Sequence, residues 1–217
     1  ESVVLSVDEY CAVENTLFVF FSELYFDILL QNVFLAVLKC SLGILFERHF
    51  IVFSRIKSID GEPYIDIAPH TVELPLIDLR SLPEDQRSTR IEEILHSDSQ
   101  KAFDLENGPL YRMFLVQTED EAFYFHVSLH HIIFDGWSWS VFARDLENIY
   151  SSLLNDKIVD LPLLEIQEYD YANWEKKQEG TNREEQLKKF WAENLNGCSP
   201  VLNFPYDFQR KDNSENK

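Results

Sequence analysis

One methionine, three cysteines and six glycines in 217 residues are the first scarcities that narrow the reading. Cys11, Cys40 and Cys198 are too widely spaced for a paired metal knuckle, and an odd count does not build a secreted disulfide framework. They read as reduced thiols of a cytoplasmic protein. The glycines are scattered, so no clustered loop is present to cradle a phosphate. Basic residues are also short: 19 Lys and Arg against 38 Asp and Glu leave a net charge of −19. Such a field repels phosphate backbones and anionic lipid surfaces, which argues against nucleic-acid and membrane partners. The most apolar stretch, Val33 to Phe46, contains Lys39 and is shorter than the about 20 residues a membrane span requires, so it is expected to be a core helix. No charged and apolar leader with a small-residue cleavage site is visible. Glu1 is the first residue and Met113 the sole methionine, so the chain is expected to be a piece of a longer protein.

What is abundant points to a folded core. Hydrophobic residues make up 45% of the chain and Phe alone occurs seventeen times, enough for one generous domain or two small ones. The pattern is mixed. Leu17 to Phe21 has strand length, and Val33, Phe34, Val37, Leu38, Leu42, Leu45 and Phe46 recur at helical spacing. Asp60-Gly61 between β-prone runs, Phe53 to Ile59 and Tyr64 to Ile67, predicts a hairpin. Asp85 to Ala102, with Ile91, Ile94 and Leu95 on one side, predicts an exposed helix. Leu110 to Gln117 and Ala122 to Leu129 read as strands joined by an acidic turn. Trp137, Val141, Phe142, Leu146, Ile149, Tyr150, Leu153 and Leu154 define the apolar face of a further helix, with Arg144, Asp145, Glu147 and Asn148 opposite. Asn173 to Asn194 reads as one or two surface helices, and Gln209 to Lys217 as a loop or disordered end.

The segment with chemistry in it is Phe123 to Gly136. Strand alternation puts Phe123, Phe125, Val127 and Leu129 on one face and Tyr124, His126, Ser128 and His130 on the other. His131 has the parity of the apolar set. If the strand persists, its imidazole is aimed into an apolar, water-poor space, where the ordinary value of about 6.5 is pushed down and a neutral base results. Asp135 and Gly136 follow in a sharp turn that is expected to bury a carboxylate beside the histidine, and that carboxylate needs a cationic or hydrogen-bonding partner. A satisfied core histidine is the plain alternative. A metal shared by His126, His130, His131 and Asp135 fits poorly, because His126 and His130 on one strand stand about 13 Å apart. Ser138 and Ser140 lack the second glycine of a nucleophile elbow.

His130, His131, Asp135, Gly136, Trp137 and Ser138 resemble the HHxxxDG(W)S motif of nonribosomal peptide synthetase condensation domains. Phe103, Asp104, Leu105, Gly108, Pro109, Leu110 and Arg112 resemble that family's FDL…GPLxR segment. Ile166, Gln167, Tyr169, Asp170, Tyr171, Ala172 and Trp174 resemble IQYxDYAxW, and Phe190, Trp191, Leu195, Pro205, Asp207 and Arg210 the run that follows. The resemblance covers about residues 61–210, in order. It implies an α/β two-layer sandwich of the chloramphenicol acetyltransferase-like class, a mixed sheet backed by helices, with residues 1–175 as the N-terminal lobe. Residues 176–217 would be a linker helix and the start of a missing C-terminal lobe. It also implies an amide bond formed between an upstream acyl or peptidyl thioester and a downstream aminoacyl amine. Both would be held on phosphopantetheine arms of carrier proteins, with no cofactor or metal bound directly. In that scheme His131 is the catalytic histidine, as general base or as positioner of the amine. His130 and Asp135 are structural, and Gly136 lets the backbone approach substrate.

The chain departs from the family at two places. Arg48 to Ile56 stands where RHExLRTxF is expected, with Phe50 and Phe53 in place of the glutamate and the first downstream arginine that pairs with the motif aspartate. Arg55, on the same strand face, is the candidate substitute for that pairing. The family's first motif is unrecognisable after Leu5 and Ser6. Epimerisation domains share HHxxxDG, but the DGW start and the DYANW stretch favour condensation. Two other readings stand beside this one. The first is a stand-alone acyltransferase whose single lobe trimerises. The second is a non-catalytic module that binds acidic carrier proteins near Lys176, Lys177, Arg183, Lys188 and Lys189. The adjacent adenylation domain and the C-terminal lobe are further partners implied by the resemblance.

Overall fold

The computed structural model describes residues 7–13, 16–25, 31–68, 71–199 and 205. The expectations for Leu5, Ser6, Asp207, Arg210 and Gln209 to Lys217 lie outside them. The chain divides into two units, Glu1–Tyr171 and Ala172–Lys217.

In chain order the elements are β1 (Val7–Val13), β2 (Thr16–Tyr25), α1 (Gln31–Arg48), a 3-10 turn (Phe50–Phe53), β3 (Ser54–Ile59), β4 (Glu62–Ile67) and β5 (Leu76–Asp78). There follow α2 (Glu84–Ser99), β6 (Tyr111–Gln117), β7 (Ala122–His130), α3 (Gly136–Leu154), α4 (Glu168–Lys176) and α5 (Asn182–Asn194). Five strands form one sheet in the order β1-β2-β7-β6-β5, antiparallel throughout except for the parallel pair β5 and β6. The sheet is therefore mixed, and β7, which ends in the histidine pair, is its central strand. Leu17 to Phe21 is the middle of the longer strand β2, whose register sets Thr16 opposite His130. β3 and β4 form the separate hairpin that Asp60-Gly61 predicts. Both turn residues have positive φ, 54° and 84°, the geometry a two-residue hairpin turn demands and glycine tolerates.

One face of the sheet is the core. Phe123, Phe125, Val127 and Leu129 of β7, with Tyr111, Met113 and Leu115 of β6, are covered by Phe34, Leu38, Leu42, Leu45 and Phe46 of α1 and by Phe142, Leu146, Ile149 and Tyr150 of α3. Complete burial of such side chains contributes about 1.5–3 kcal/mol each. The opposite face carries His126 and Ser128 and meets the C-terminal end of α2.

Two expectations for α3 need correction. Trp137 shares the apolar stripe by spacing, yet it is 81% exposed; in the first turn it is Trp139, stacked on Phe142 at 5.4 Å, that meets the core instead. Asp145, expected on the solvent side, is instead 1% exposed, its carboxylate receiving Arg48, His49 and Arg144. In the second unit, Lys188 pairs with Glu184 and Arg183 lies over the Trp174 ring.

Candidate active site

Strand pairing stops at His130, and the chain turns at once: the Ile133 amide donates to the His130 carbonyl at 3.0 Å. The His130 side chain closes the same turn, its Nδ1 accepting the Ile132 N–H at 3.0 Å. An accepting Nδ1 places the proton of the neutral ring on Nε2. Burial, and secondarily the neighbouring His131, push the His130 imidazole below its ordinary value, which favours that neutral form. Ile133 and Phe134 then plug into the core, Phe134 packing edge-on against Phe142 at 5.9 Å. With these two apolar residues anchored inward, His131 and Ile132 are left on the outside of the turn. Ile132 is 50% exposed, and His131 is exposed as well.

The far end of the turn is fixed by a reciprocal cap on α3. Asp135 Oδ1 accepts the Ser138 N–H at 2.7 Å and the Ser138 hydroxyl at 2.6 Å, while the Asp135 N–H donates back to Ser138 Oγ. The Ser138 hydroxyl and amide hold the Asp135 carboxyl below its ordinary value. Gly136 has no left-handed φ, and a Cβ there would meet nothing within 4 Å, so no described neighbour requires a glycine.

Three expectations are therefore revised. His131 does not continue the strand into a water-poor crevice; the chain leaves the strand one residue earlier. Asp135 is exposed rather than buried; of the cationic or hydrogen-bonding partner expected for it, the structure supplies the hydrogen-bonding one, Ser138. Arg55 does not pair with Asp135: its Nη2 donates to Asp66 at 2.6 Å across the β3–β4 hairpin. Phe53, at the position of the family arginine, is a core residue set edge-on to Phe46. The capping box removes the need for an ion pair, because it supplies two donors to the carboxylate locally.

Sequence reasoning missed the polar groups that brace the site. On the outer face of the sheet Asp98, at the end of α2, is 5% exposed by side chain. Its carboxylate receives Arg112 Nε at 2.8 Å, Ser128 Oγ at 2.6 Å and the His126 ring at 3.1 Å. Burial raises the Asp98 carboxyl; the donors His126, Ser128 and Arg112 together outweigh it and hold the group well below its ordinary value. The Ser128 hydroxyl is spent on the acid and fully buried, so this trio is structural and offers no nucleophile. The set His126, His130, His131 and Asp135 is dispersed between this network and the exposed turn. Among the described residues no group of three His, Cys, Asp or Glu side chains converges as a metal would require. A cleft of about 280 Å³ adjoins the turn, lined by Ile133, Phe134, Trp137 and Ser138 on one side and by Phe46 and His49 on the other.

No helix among the described residues is long and apolar enough to cross a membrane. Among curated proteins, a linear gramicidin synthase of Brevibacillus parabrevis is 33% identical over 185 residues, which are 84% of this chain and 4% of that protein. Phosphinothricin tripeptide synthetase of Streptomyces viridochromogenes is 33% identical over 171 residues, 78% of this chain and 16% of that one. Among solved structures, the starter condensation domain of rhizomide synthetase has a TM-score of 0.71 at 16% identity, covering 85% of this chain and 42% of that one. The epimerization domain from the third module of tyrocidine synthetase B has a TM-score of 0.69 at 24% identity, covering 88% and 42%. This chain thus spans less than half of those domains. The structural likenesses establish the fold, the mixed sheet backed by helices of the chloramphenicol acetyltransferase-like class. Residues 28–217 match the family described as Condensation domain, and the chain belongs to it.

Proposed function

We propose that the chain is the N-terminal lobe, residues 1–175, of an amide-forming condensation domain in a nonribosomal peptide synthetase. Residues 176–217 lead into a C-terminal lobe. In the reaction, the amine of a downstream aminoacyl thioester attacks the carbonyl of an upstream acyl or peptidyl thioester. The C–N bond forms, the C–S bond breaks, and the amine proton ends on the departing thiol. Both substrates ride on phosphopantetheine arms of carrier proteins, and no further cofactor takes part.

One observation carries the reading. The turn between β7 and α3 is tied at both ends, by His130 to Ile132 and by Asp135 to Ser138, and it presents His131 outward. A histidine so held needs only a second wall to define a tunnel, and the solved neighbours are about twice this chain's length. Within such a tunnel His131 takes the amine proton or orients the amine. Open space over Gly136 suits close approach of a substrate to the backbone. The cytoplasm, where such synthetases meet their activated monomers, is the compartment this reading entails.

The test is single-turnover amide formation by the complete parent module, with the carrier-bound product read by mass spectrometry. His131→Ala is expected to slow it about 10²–10⁴-fold. A wild-type rate would overturn the assignment. The exposure of His131 equally suits a trimeric acyltransferase in which another copy supplies the wall, and light scattering that finds a stable monomer disposes of that arrangement.

A further inference from the structure

The histidine turn rests on a continuous set of contacts that reaches the buried acid on the outer face of the sheet. Asp98 holds the Arg112 guanidinium through Nε, and Arg112 Nη2 donates to the carbonyls of Asp98 and Lys101 at 3.0 and 3.1 Å. The Asp98 carbonyl also accepts the Lys101 N–H at 3.0 Å, so the guanidinium ties the end of α2 to the segment that follows it. So fixed, the guanidinium lies 3.9 Å from the centroid of the Phe103 ring. Phe103 in turn stands nearly perpendicular to the His130 imidazole, with centroids 5.8 Å apart and an interplanar angle of 85°. His130 Nδ1 then holds the Ile132 amide. Each link fixes a rotamer of the next, and the last link sets the backbone on either side of His131.

We propose that Phe103 and Arg112 are positioning residues for His131, acting through the ring orientation of His130. The catalytic consequence rests on the function proposed above; the placement of the turn does not. A cation over one ring and a ring edge against the next are directional contacts, so their loss tilts His130 rather than merely loosening the core. When the imidazole rotates, Nδ1 leaves the Ile132 N–H, and the turn that aims His131 gains freedom. Phe114 makes a useful control. It is half-buried on the same face of the sheet and lies against His126 at 4.4 Å, and among the described ring contacts it has none with the turn.

The test uses the chain as it stands, with His130 and His131 ring resonances followed by NMR against pH and amide exchange measured at Ile132. His130 is flanked by His131 on its own turn and by Arg112 across Phe103, with Lys101 and Asp98 beyond. Phe103→Leu is expected to raise exchange at Ile132 about tenfold and to bring the His130 titration up towards its ordinary range as water reaches the ring. Arg112→Lys keeps the charge but loses the planar fork, and is expected to move both signals in the same direction. Phe114→Leu should leave both where they are. Equal effects from Phe103→Leu and Phe114→Leu, or none from Phe103→Leu, would overturn the proposal. In the complete parent module, Phe103→Leu should lower kcat with KM for the carrier-bound substrates unchanged. If instead His131→Ala is fully active there, the catalytic reading fails while the NMR result stands on its own.

Discussion

Replacing Asp98 by Asn probes the strongest polar commitment in the fold. The side chain is 5% exposed and Arg112 23%, so solvent screens this pair little. Asn keeps the shape but removes the charge, and presents an amide to Arg112 and to the Ser128 and His126 donors. Removing one partner of a buried, hydrogen-bonded pair typically costs about 3–5 kcal/mol. Against a total stability of about 5–15 kcal/mol, that is a large share. For a chain of this size, each kcal/mol lowers Tm by about 2–4 °C, so thermal or urea unfolding at pH 7 should show a fall of about 6–20 °C. Ser128→Ala removes one donor while His126 and Arg112 remain, and should cost only about 0.5–1.5 kcal/mol. The pH dependence has a definite sign. The Asp98 carboxyl lies below its ordinary 3.8 when folded, so its contribution is complete above that value and lost as pH falls through the folded value. The gap between wild type and Asp98→Asn should therefore stay level from pH 7 to about 4 and narrow below it. A variant within about 1 kcal/mol of wild type at pH 7, or a gap that widens in acid, would refute this account of the network.

Because His131 lies exposed on the outside of its turn, His131→Ala should leave stability within about 0.5 kcal/mol of wild type by chemical denaturation, which separates loss of activity from misfolding. Ser138→Ala breaks the reciprocal cap on α3 and should cost about 1 kcal/mol, visible as a lower urea midpoint with an unchanged m-value. Gly108 has φ 61°, and a Cβ there would stand 3.1 Å from Arg55 Cγ. Gly108→Ala should then destabilise by about 1–2 kcal/mol in urea unfolding, whereas Gly43→Ala, inside α1 with open space around it, should stabilise by up to about 1 kcal/mol.

The elements that can be read from sequence are those whose local chemistry agrees with their tertiary setting. Asp60-Gly61 supplies both positive φ values, so the β3–β4 hairpin needs no help from the rest of the chain. The central strand β7 alternates apolar with polar residues from Phe123 to His130 because only its apolar face meets α1 and α3. Asp145 and Asp98 escape a local reading for a common reason. Asp145 lies four residues from both Val141 and Ile149, in the middle of the apolar stripe of α3. Asp98 continues the Ile91, Ile94, Leu95 stripe of α2 in the same way. An acid on such a stripe is driven inward with its neighbours, and it stays ionised only if cations arrive from elsewhere in the chain. For Asp145 the distant one is Arg48, beside its own neighbour Arg144, and for Asp98 it is Arg112. A charged residue on such a stripe reads locally as solvent-facing, and the distant base that lets it turn inward is not visible in the spacing.

At the site itself, strand parity assigns the right faces up to His130 and the wrong one for His131. Parity holds only while the backbone stays extended, and the same residues that make the segment look like strand end it. Ile133 and Phe134 are apolar enough to prolong β7 on paper, yet the core beneath the end of the sheet takes them by way of a turn. Burying those two side chains is worth about 3–6 kcal/mol, more than the one or two ladder bonds a longer strand would gain at about 1 kcal/mol each. Hydrophobic anchoring therefore expels His131 to the surface, and the two hydrogen-bonded closures at His130 and Asp135 keep it there. In the function proposed above, this bend is what would present the His131 imidazole to substrate.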